Sequence, residues 1–165
     1  MMSSTTTTTT RSWTTWLLLA VVPFLALTLL SDEASAQACA DGGTDSTICG
    51  SNSAGANGSE SLVIGEAGTT ANDADNATAV GVGANVDAAG GTAVGHNAAA
   101  SGTYSTALGN ASVASADGTT ALGESAIADT LGATATGSGA AALNVDATAT
   151  GSFADAQGDS STATG

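Results

Sequence analysis

Thr106-Ala107-Leu108-Gly109 and Thr120-Ala121-Leu122-Gly123 are two copies of a tetrapeptide that recurs at a constant spacing in this 165-residue sequence. Successive copies begin every 14 residues, and no insertion or deletion interrupts the series. A constant period of this length is typical of repeat proteins, in which each unit packs against its neighbours. The last residues of the copies, called the repeat glycines, are Gly81, Gly95, Gly109, Gly123, Gly137, Gly151 and Gly165.

Each repeat contains two short segments in which small or apolar residues occupy alternate positions. Counted from the repeat glycine, these residues fall at the third and fifth positions and again at the eleventh and thirteenth. Because side chains alternate between the two faces of a β-strand, the pattern predicts strand, turn, strand and turn in every repeat. The sequence therefore predicts an all-β fold, a parallel β-roll (solenoid) with one coil per repeat. We expect its interior to contain the repeat-core residues Ile64, Val80, Val94, Leu108 and Leu122.

Helical and collagen-like repeats do not fit this composition. Several glycines and β-branched residues within 14 positions are unfavourable for a pair of helices. A coiled coil would need large apolar residues at core positions where this sequence has glycine and alanine. Collagen needs a glycine at every third residue, a spacing that this sequence lacks.

Two further coils are expected before the regular series. Ser61-Leu62-Val63-Ile64-Gly65 has the form of a repeat, which makes Gly65 a further repeat glycine. It precedes Gly81 by 16 residues, so we expect two inserted residues within 72–76. Thr47-Ile48-Cys49-Gly50 is a weaker candidate for a still earlier coil.

The first 36 residues have the organisation of a secretory signal peptide. A Thr-rich start with one cation, Arg11, leads into the apolar stretch Trp16 to Leu30, which is shorter than the roughly 20 residues that span a bilayer. The small residues Ala34-Ser35-Ala36 then predict cleavage between Ala36 and Gln37. A membrane anchor is one alternative, and the short apolar stretch argues against it. A lipoprotein is the other, and the bulky Gln37 before Cys39 argues against it.

Cys39 and Cys49 are the only cysteines, and both follow the predicted cleavage site. Export to an oxidising compartment predicts a local disulfide between them, with two unpaired cysteines as the alternative. Two thiols and one distant imidazole, His96, cannot supply four zinc ligands, so neither a metal nor a cofactor is expected. We divide the chain into a secretory signal peptide at 1–36, an N-terminal cap or leader at 37–60 and a repeat domain at 61–165.

The sequence is strongly acidic, with 15 Asp and Glu residues against a single Lys or Arg and a formal charge of −14 at pH 7. It therefore lacks the clustered cations that nucleic-acid binding requires. Large apolar side chains are too few for a compact core, which leaves disorder or a thin stacked fold that also associates. In the regular repeats no acid occupies the same position as an acid in the adjacent repeat, which favours stacked coils over disorder.

The repeats resemble the head repeats of trimeric autotransporter adhesins, the YadA-like group of Gram-negative surface proteins. The family motif is approximately Ser-Val-Ala-Ile-Gly, two variable residues, Ala-x-Ala and a glycine. The stretch from Ser105 to Ala114 matches this motif best, and Gly95 to Gly102 matches its second half. The resemblance covers about 61–165. It implies a left-handed β-roll, a homotrimer, and a cell-surface or extracellular head that adheres to an unknown matrix, cell or abiotic ligand.

The sequence departs from the family pattern in two ways. Threonine occupies the eleventh position of every regular repeat, and from Thr136 onward it also replaces Val or Leu at the thirteenth. The last three coils are therefore expected to be looser than the others. The sequence has no heptad segment and no run of amphipathic strands, so we expect no stalk and no membrane anchor in this chain.

The residues do not suggest catalysis, and we expect no enzyme. His96 falls in a turn position, without the Ser and Asp partners of a catalytic triad. Tyr104 and Phe153 are expected in turns or between chains rather than as binding anchors. The alternative to an adhesin is a protein that binds ice or crystal surfaces, because the Thr-Ala-Thr triplets of the last three repeats would form two threonine columns on one face. That alternative requires the face to lie outside the roll.

Overall fold

The computed structural model describes residues 40–43, 45–50, 58–66, 68–72 and 74–165, which all belong to one unit, Gln37–Gly165. Within these residues every regular element is a β-strand, and no helix occurs. The strands, in chain order, are β1 (Ala40–Gly43), β2 (Ser46–Cys49), β3 (Leu62–Ile64), β4 (Thr70–Ala71), β5 (Thr78–Val80), β6 (Asn85–Val86), β7 (Thr92–Val94), β8 (Ala99–Ala100), β9 (Thr106–Leu108), β10 (Val113–Ala114), β11 (Thr120–Leu122), β12 (Ile127–Ala128), β13 (Thr134–Thr136), β14 (Ala141–Ala142), β15 (Thr148–Thr150), β16 (Asp155–Ala156) and β17 (Thr162–Thr164).

The strands form two sheets, to which successive coils contribute in turn. The ten-stranded sheet has the order β1-β2-β3-β5-β7-β9-β11-β13-β15-β17, and the seven-stranded sheet has the order β16-β14-β12-β10-β8-β6-β4. Neighbouring strands are parallel except for β1 and β2, which form an antiparallel pair. The described residues thus form a parallel β-solenoid of about 8 coils with 14-residue repeats, and the predicted fold class is confirmed.

Equivalent residues of successive repeats lie in register. Thr106 pairs with Thr92 on one side and with Thr120 on the other. The N–H of Gly109 donates to the carbonyl oxygen of Val94 at 2.9 Å, and the same bond recurs along the array. The backbone groups of a coil are therefore satisfied mainly by its two neighbouring coils, which is why this fold can propagate with little side-chain volume.

Each coil contains two turns in which one residue has a left-handed backbone. These residues occupy the second and ninth positions after the repeat glycine, and their φ angles are 54° at Asn97 and 55° at Tyr104. Across the first of these turns the N–H of Ala98 donates to the carbonyl oxygen of Gly95 at 3.4 Å. A positive φ at the third residue of such a turn is the pattern of type II turns. The predicted alternation of strands and turns is therefore confirmed.

Small side chains line the interior of the roll in place of the predicted repeat-core residues. Ala107 is fully buried, as is the alanine at the same position of every coil from Ala79 to Ala149. The prediction that five larger residues point inward is wrong, because the residue that points inward is the one directly before each of them in the strand. Alanine and a few Val, Ser and Thr side chains fill the interior, and a close-packed interior of this composition has no space for a column of leucines. The five residues lie instead on the outward side, exposed or half-buried: Ile64, Val80, Val94, Leu108 and Leu122.

The two inserted residues before Gly81 lie in different places. Thr70 pairs with Asn85, although Thr70 is one position further from its repeat glycine, Gly65, than Asn85 is from Gly81. One inserted residue therefore precedes β4, and the other lies between β4 and β5. The predicted location, 72–76, is right for the second insertion only.

One coil contains a larger interior residue that is matched by a glycine. Val86 is fully buried at a position that alanine occupies in every later coil. In the same coil Gly91 is buried where other coils have Ala, Ser or Thr, and a Cβ on Gly91 would lie 2.5 Å from Cγ1 of Val86. The missing side chain of Gly91 therefore provides the volume that Val86 occupies.

This pairing predicts strong coupling between the two positions. Gly91→Ala is expected to destabilise the protein by about 1–3 kcal/mol through overpacking, and Val86→Ala by about 2 kcal/mol through a cavity. The double variant restores the alanine packing of later coils and is expected to recover most of both losses. Thermal unfolding followed by circular dichroism measures all four proteins. Additive losses in the double variant would show that the two side chains do not share one space.

Candidate functional site

The outward face of the ten-stranded sheet, called the outward face below, carries two columns of side chains. One column is threonine in each coil from Thr78 to Thr162. Because equivalent residues of adjacent coils lie about 4.8 Å apart, each column is continuous along the array. The face is therefore mixed apolar and threonine in the first coils and entirely threonine in the last three. The second column consists of Ile64, Val80, Val94, Leu108, Leu122, Thr136, Thr150 and Thr164.

The threonines at the end of this second column are accessible to solvent. Thr136, Thr150 and Thr164 are all exposed, while the alanine between the two threonines of each triplet points inward. The Thr-Ala-Thr triplets therefore lie on the outside of the roll. This placement meets the geometric condition of the ice-binding or crystal-binding alternative.

Two exposed aromatic residues occupy turn positions with left-handed backbone. Tyr104 is 76% exposed with a φ of 55°, and Phe153 is 78% exposed with a φ of 57°. A Cβ on Gly90 would lie 2.5 Å from the Tyr104 ring, and one on Gly139 would lie 2.8 Å from the Phe153 ring. Each ring therefore lies over the glycine at the same position of the preceding coil. The sequence predicted the turns but missed this packing, whose signal is a glycine 14 residues before each aromatic.

Polar side chains on the seven-stranded sheet link adjacent coils near the start of the array. The side-chain amide of Asn72 donates to Oδ1 of Asp87 at 3.1 Å, and that of Asn85 donates to Oδ2 at 2.8 Å. The hydroxyl of Ser101 donates to the same Oδ2 at 3.4 Å. These donors occupy the single carboxylate, so the network joins coils and does not form an open site.

The residues that could support metal or acid–base chemistry are scattered. His96 is exposed in a turn, with Nδ1 3.3 Å from Nδ2 of Asn110 in the next coil. Within the described part of the chain, no group of three or more His, Cys, Asp and Glu side chains could hold a metal ion. The candidate functional site of the described residues is therefore an extended surface and not a cluster of titratable side chains.

The exposed side of the seven-stranded sheet carries apolar residues that the sequence interpretation did not single out. Ile127 and Leu143 lie on its strands or directly after them, and Leu131 and Val145 lie in the following turns. All four are exposed, and Val113 beside them is half-buried. Their signal in the sequence is weak, because no one of their positions is apolar throughout the array.

The predicted N-terminal features lie mostly beyond the described residues. Cys49 is the last residue of β2, but Cys39 lies outside the described part of the chain, as does the predicted cleavage site between Ala36 and Gln37. The disulfide and the cleavage therefore stay predictions. No helix among the described residues is long and apolar enough to cross a bilayer.

These features define a repeat protein of the parallel β-solenoid class that presents extended surfaces. Its sequence matches the family model described as YadA head domain repeat, over residues 73–98, 100–123, 114–140 and 142–165. Because the match covers more than half of the chain, the protein belongs to this family, the head repeats of YadA-like trimeric autotransporter adhesins. No curated protein and no solved structure matches the chain.

Proposed function

We propose that this chain is the head of an exported adhesin and attaches to a host or abiotic surface without catalysing a reaction. Membership of the head-repeat family supports an adhesin-type function at a bacterial surface. The main structural support for this proposal is the composition of the outward face. Its aliphatic column from Ile64 to Leu122 runs through five successive coils and is partly exposed along its length, and continuous exposed apolar surfaces of this kind mark protein–protein contacts.

In the proposed assembly, three copies pack their outward faces around a common axis. Heads of this family form trimers, which supports this stoichiometry. The alanine interior removes little apolar area from water in each coil, at roughly 25 cal/mol per Å². Burial of the aliphatic column therefore supplies stabilisation that a single chain lacks. The threonine columns continue the interface, with their hydroxyl groups bonded to one another or to backbone.

We further propose the N-terminal organisation that the sequence predicts. Residues 1–36 are a signal peptide cleaved after Ala36, and residues 37–60 form a cap that a Cys39–Cys49 disulfide fastens. The cap is supported by β1, which pairs antiparallel with β2 at the end of the ten-stranded sheet. β2 itself is a coil strand, because Ile48 pairs in parallel with Val63 of β3. An antiparallel strand in this place covers an edge that could otherwise pair with another chain.

Leu108→Asp tests the proposed trimer. The substitution brings three carboxylates together near the axis, and such unpaired like charges in an interface cost several kcal/mol. We expect light scattering to give a trimer for the wild-type chain and a monomer for the variant. Circular dichroism is expected to show retained β-structure, since Leu108 lies outside the roll. Val145→Asp places the same charge on the exposed side of the seven-stranded sheet and is expected to leave the trimer intact.

A monomeric wild-type chain would contradict the trimer. If that monomer also slowed the growth of ice, the second candidate function would replace the adhesin. The exposed positions of Thr136, Thr150 and Thr164 favour this candidate, because they form a regular array of hydroxyl and methyl groups. If the wild-type chain is a trimer and has no effect on ice growth, the ice-binding function is excluded.

A further inference from the structure

The exposed side of the seven-stranded sheet and the turns that follow its strands carry aliphatic side chains in three successive coils, called the apolar patch: Val113, Ile127, Leu131, Leu143 and Val145. Val113 pairs with Ile127 across the parallel strands, and Leu143 lies on the same side of the sheet in the next coil. Leu131 and Val145 occupy equivalent turn positions one coil apart, where the N–H of Asp146 donates to the carbonyl oxygen of Leu131. The patch therefore extends over three coils.

Carboxylates lie at both ends of the apolar patch and beside its central residues. Asp117 lies one coil before Leu131 at the same position, and Asp159 lies one coil after Val145. Asp129 follows Ile127 by two residues and so shares its face, and Asp155 pairs with Ala141 at the far end of the strand column. All four of these aspartates are exposed. An apolar centre with charged groups at its border is the usual composition of a protein-binding surface.

The described residues contain no Lys or Arg that could pair with these aspartates. Arg11 is the only Lys or Arg of the sequence, and it lies outside the described residues. A partner that carries Lys or Arg is complementary in charge to these aspartates. Complementary charge of this kind steers a partner and fixes its position, while the buried apolar side chains supply most of the affinity.

We propose that the apolar patch binds a cationic polypeptide segment that carries aliphatic residues and Lys or Arg residues two positions apart. Residues two positions apart point to the same face of an extended segment, so such a segment places aliphatic side chains on Ile127 and Leu143 and its cations beside Asp129 and Asp155. The inference deepens the proposed adhesin function and rests on it, because a trimer built through the outward face leaves this sheet facing solvent. It names the chemical class of the surface to which the head attaches.

The test uses the fluorescent heptapeptide Leu-Ser-Lys-Ser-Leu-Ser-Lys, in which Leu and Lys share one face of the extended chain, and measures its binding to the full chain by anisotropy. The double variant Ile127→Ser with Leu143→Ser is expected to bind at least about tenfold more weakly, because it loses the burial of two aliphatic side chains. Asp129→Asn with Asp155→Asn is expected to weaken binding at low salt. This second difference is expected to disappear near 1 M salt, where the screening length is about 3 Å.

Two matched controls lie outside the patch. Val82→Ser removes another exposed aliphatic side chain, and Glu124→Gln removes another exposed carboxylate. Both variants are expected to bind the peptide as tightly as the wild type. The inference is overturned if the patch variants also bind like the wild type, or if a lysine-only peptide binds equally well to every protein.

Two further outcomes separate this inference from the proposals on which it builds. If vesicles of phosphatidylcholine bind the wild-type chain and the peptide does not, the patch contacts lipid and the inference is wrong. Light scattering on the same samples reports the oligomeric state. If the protein is a monomer and the peptide affinities still follow the expected order, the proposed trimer is wrong and the inference about the apolar patch stands.

Discussion

Gly109→Ala is expected to lower the free energy of unfolding by at least about 3 kcal/mol and to unfold the central coils first. The backbone of Gly109 has a φ of 144°, which an L-residue with a side chain rarely adopts. A Cβ there would also lie 2.3 Å from the carbonyl oxygen of Gly123 in the next coil. That oxygen accepts from the N–H of Ala126 across a turn of the next coil, so it cannot move without distorting the backbone of that turn. Chemical unfolding followed by circular dichroism measures the loss.

Gly118→Ala is the matched control for this substitution. Gly118 has a φ of 67°, but a Cβ there would meet no atom within 4 Å. Only the cost of placing a side chain on a left-handed backbone remains, and we expect the free energy of unfolding to fall by about 1 kcal/mol. Equal losses in the two variants would show that close stacking of the repeat glycines does not hold the coils in register.

The repeat glycines explain why so much of this fold could be predicted. A strict 14-residue recurrence of glycine has a simple physical cause, since each one lies against the carbonyl group of the next. From Gly81 to Gly151 their φ angles lie between 113° and 144°, so that alanine is excluded twice, by conformation and by space. The period and the stacking of the coils in register follow from this constraint, whereas the two strands per coil follow from the alternation of small or apolar residues.

The phase of the strands in the ten-stranded sheet could not be predicted from alternation alone. In a segment such as Thr106-Ala107-Leu108 both possible faces contain apolar groups, so hydrophobicity favours the larger residue as the interior one. The available space decides otherwise, because the interior is close-packed with alanine and a few Val, Ser and Thr side chains. One signal was present in the sequence. The position of Ala107 is alanine in every regular repeat, while that of Leu108 varies among Val, Leu and Thr.

The apolar patch was also missed, and for a different reason. Its members occupy positions that are polar or small in other coils, as Asp87 and Ser101 are at the position of Leu143. A repeat alignment emphasises what recurs, whereas a binding surface is built from the residues that do not recur. The variable positions of adjacent coils become neighbours only when the coils are stacked at about 4.8 Å.

Ala107→Asp is expected to abolish most of the β-structure of the chain. Ala107 is fully buried between Ala93 and Ala121 of the neighbouring coils. A carboxylate there has no partner, and an uncompensated buried charge costs about 3–5 kcal/mol before overpacking is included. Natural domains have about 5–15 kcal/mol of stability in total. Circular dichroism at neutral pH is therefore expected to lose most of the β signal even at low temperature.

Comparison of Ala107→Asp with Leu108→Asp shows which face of strand β9 lies inside the roll. The two substitutions introduce the same charge at adjacent residues of β9, but Leu108 is 40% exposed and Ala107 is not exposed at all. A β-strand directs adjacent side chains to opposite faces, so one carboxylate enters the roll and the other enters the proposed interface. Folding is lost in the first case, and association in the second. If Leu108→Asp unfolded the chain and Ala107→Asp did not, the aliphatic column would line the interior and the proposed trimer surface would not exist.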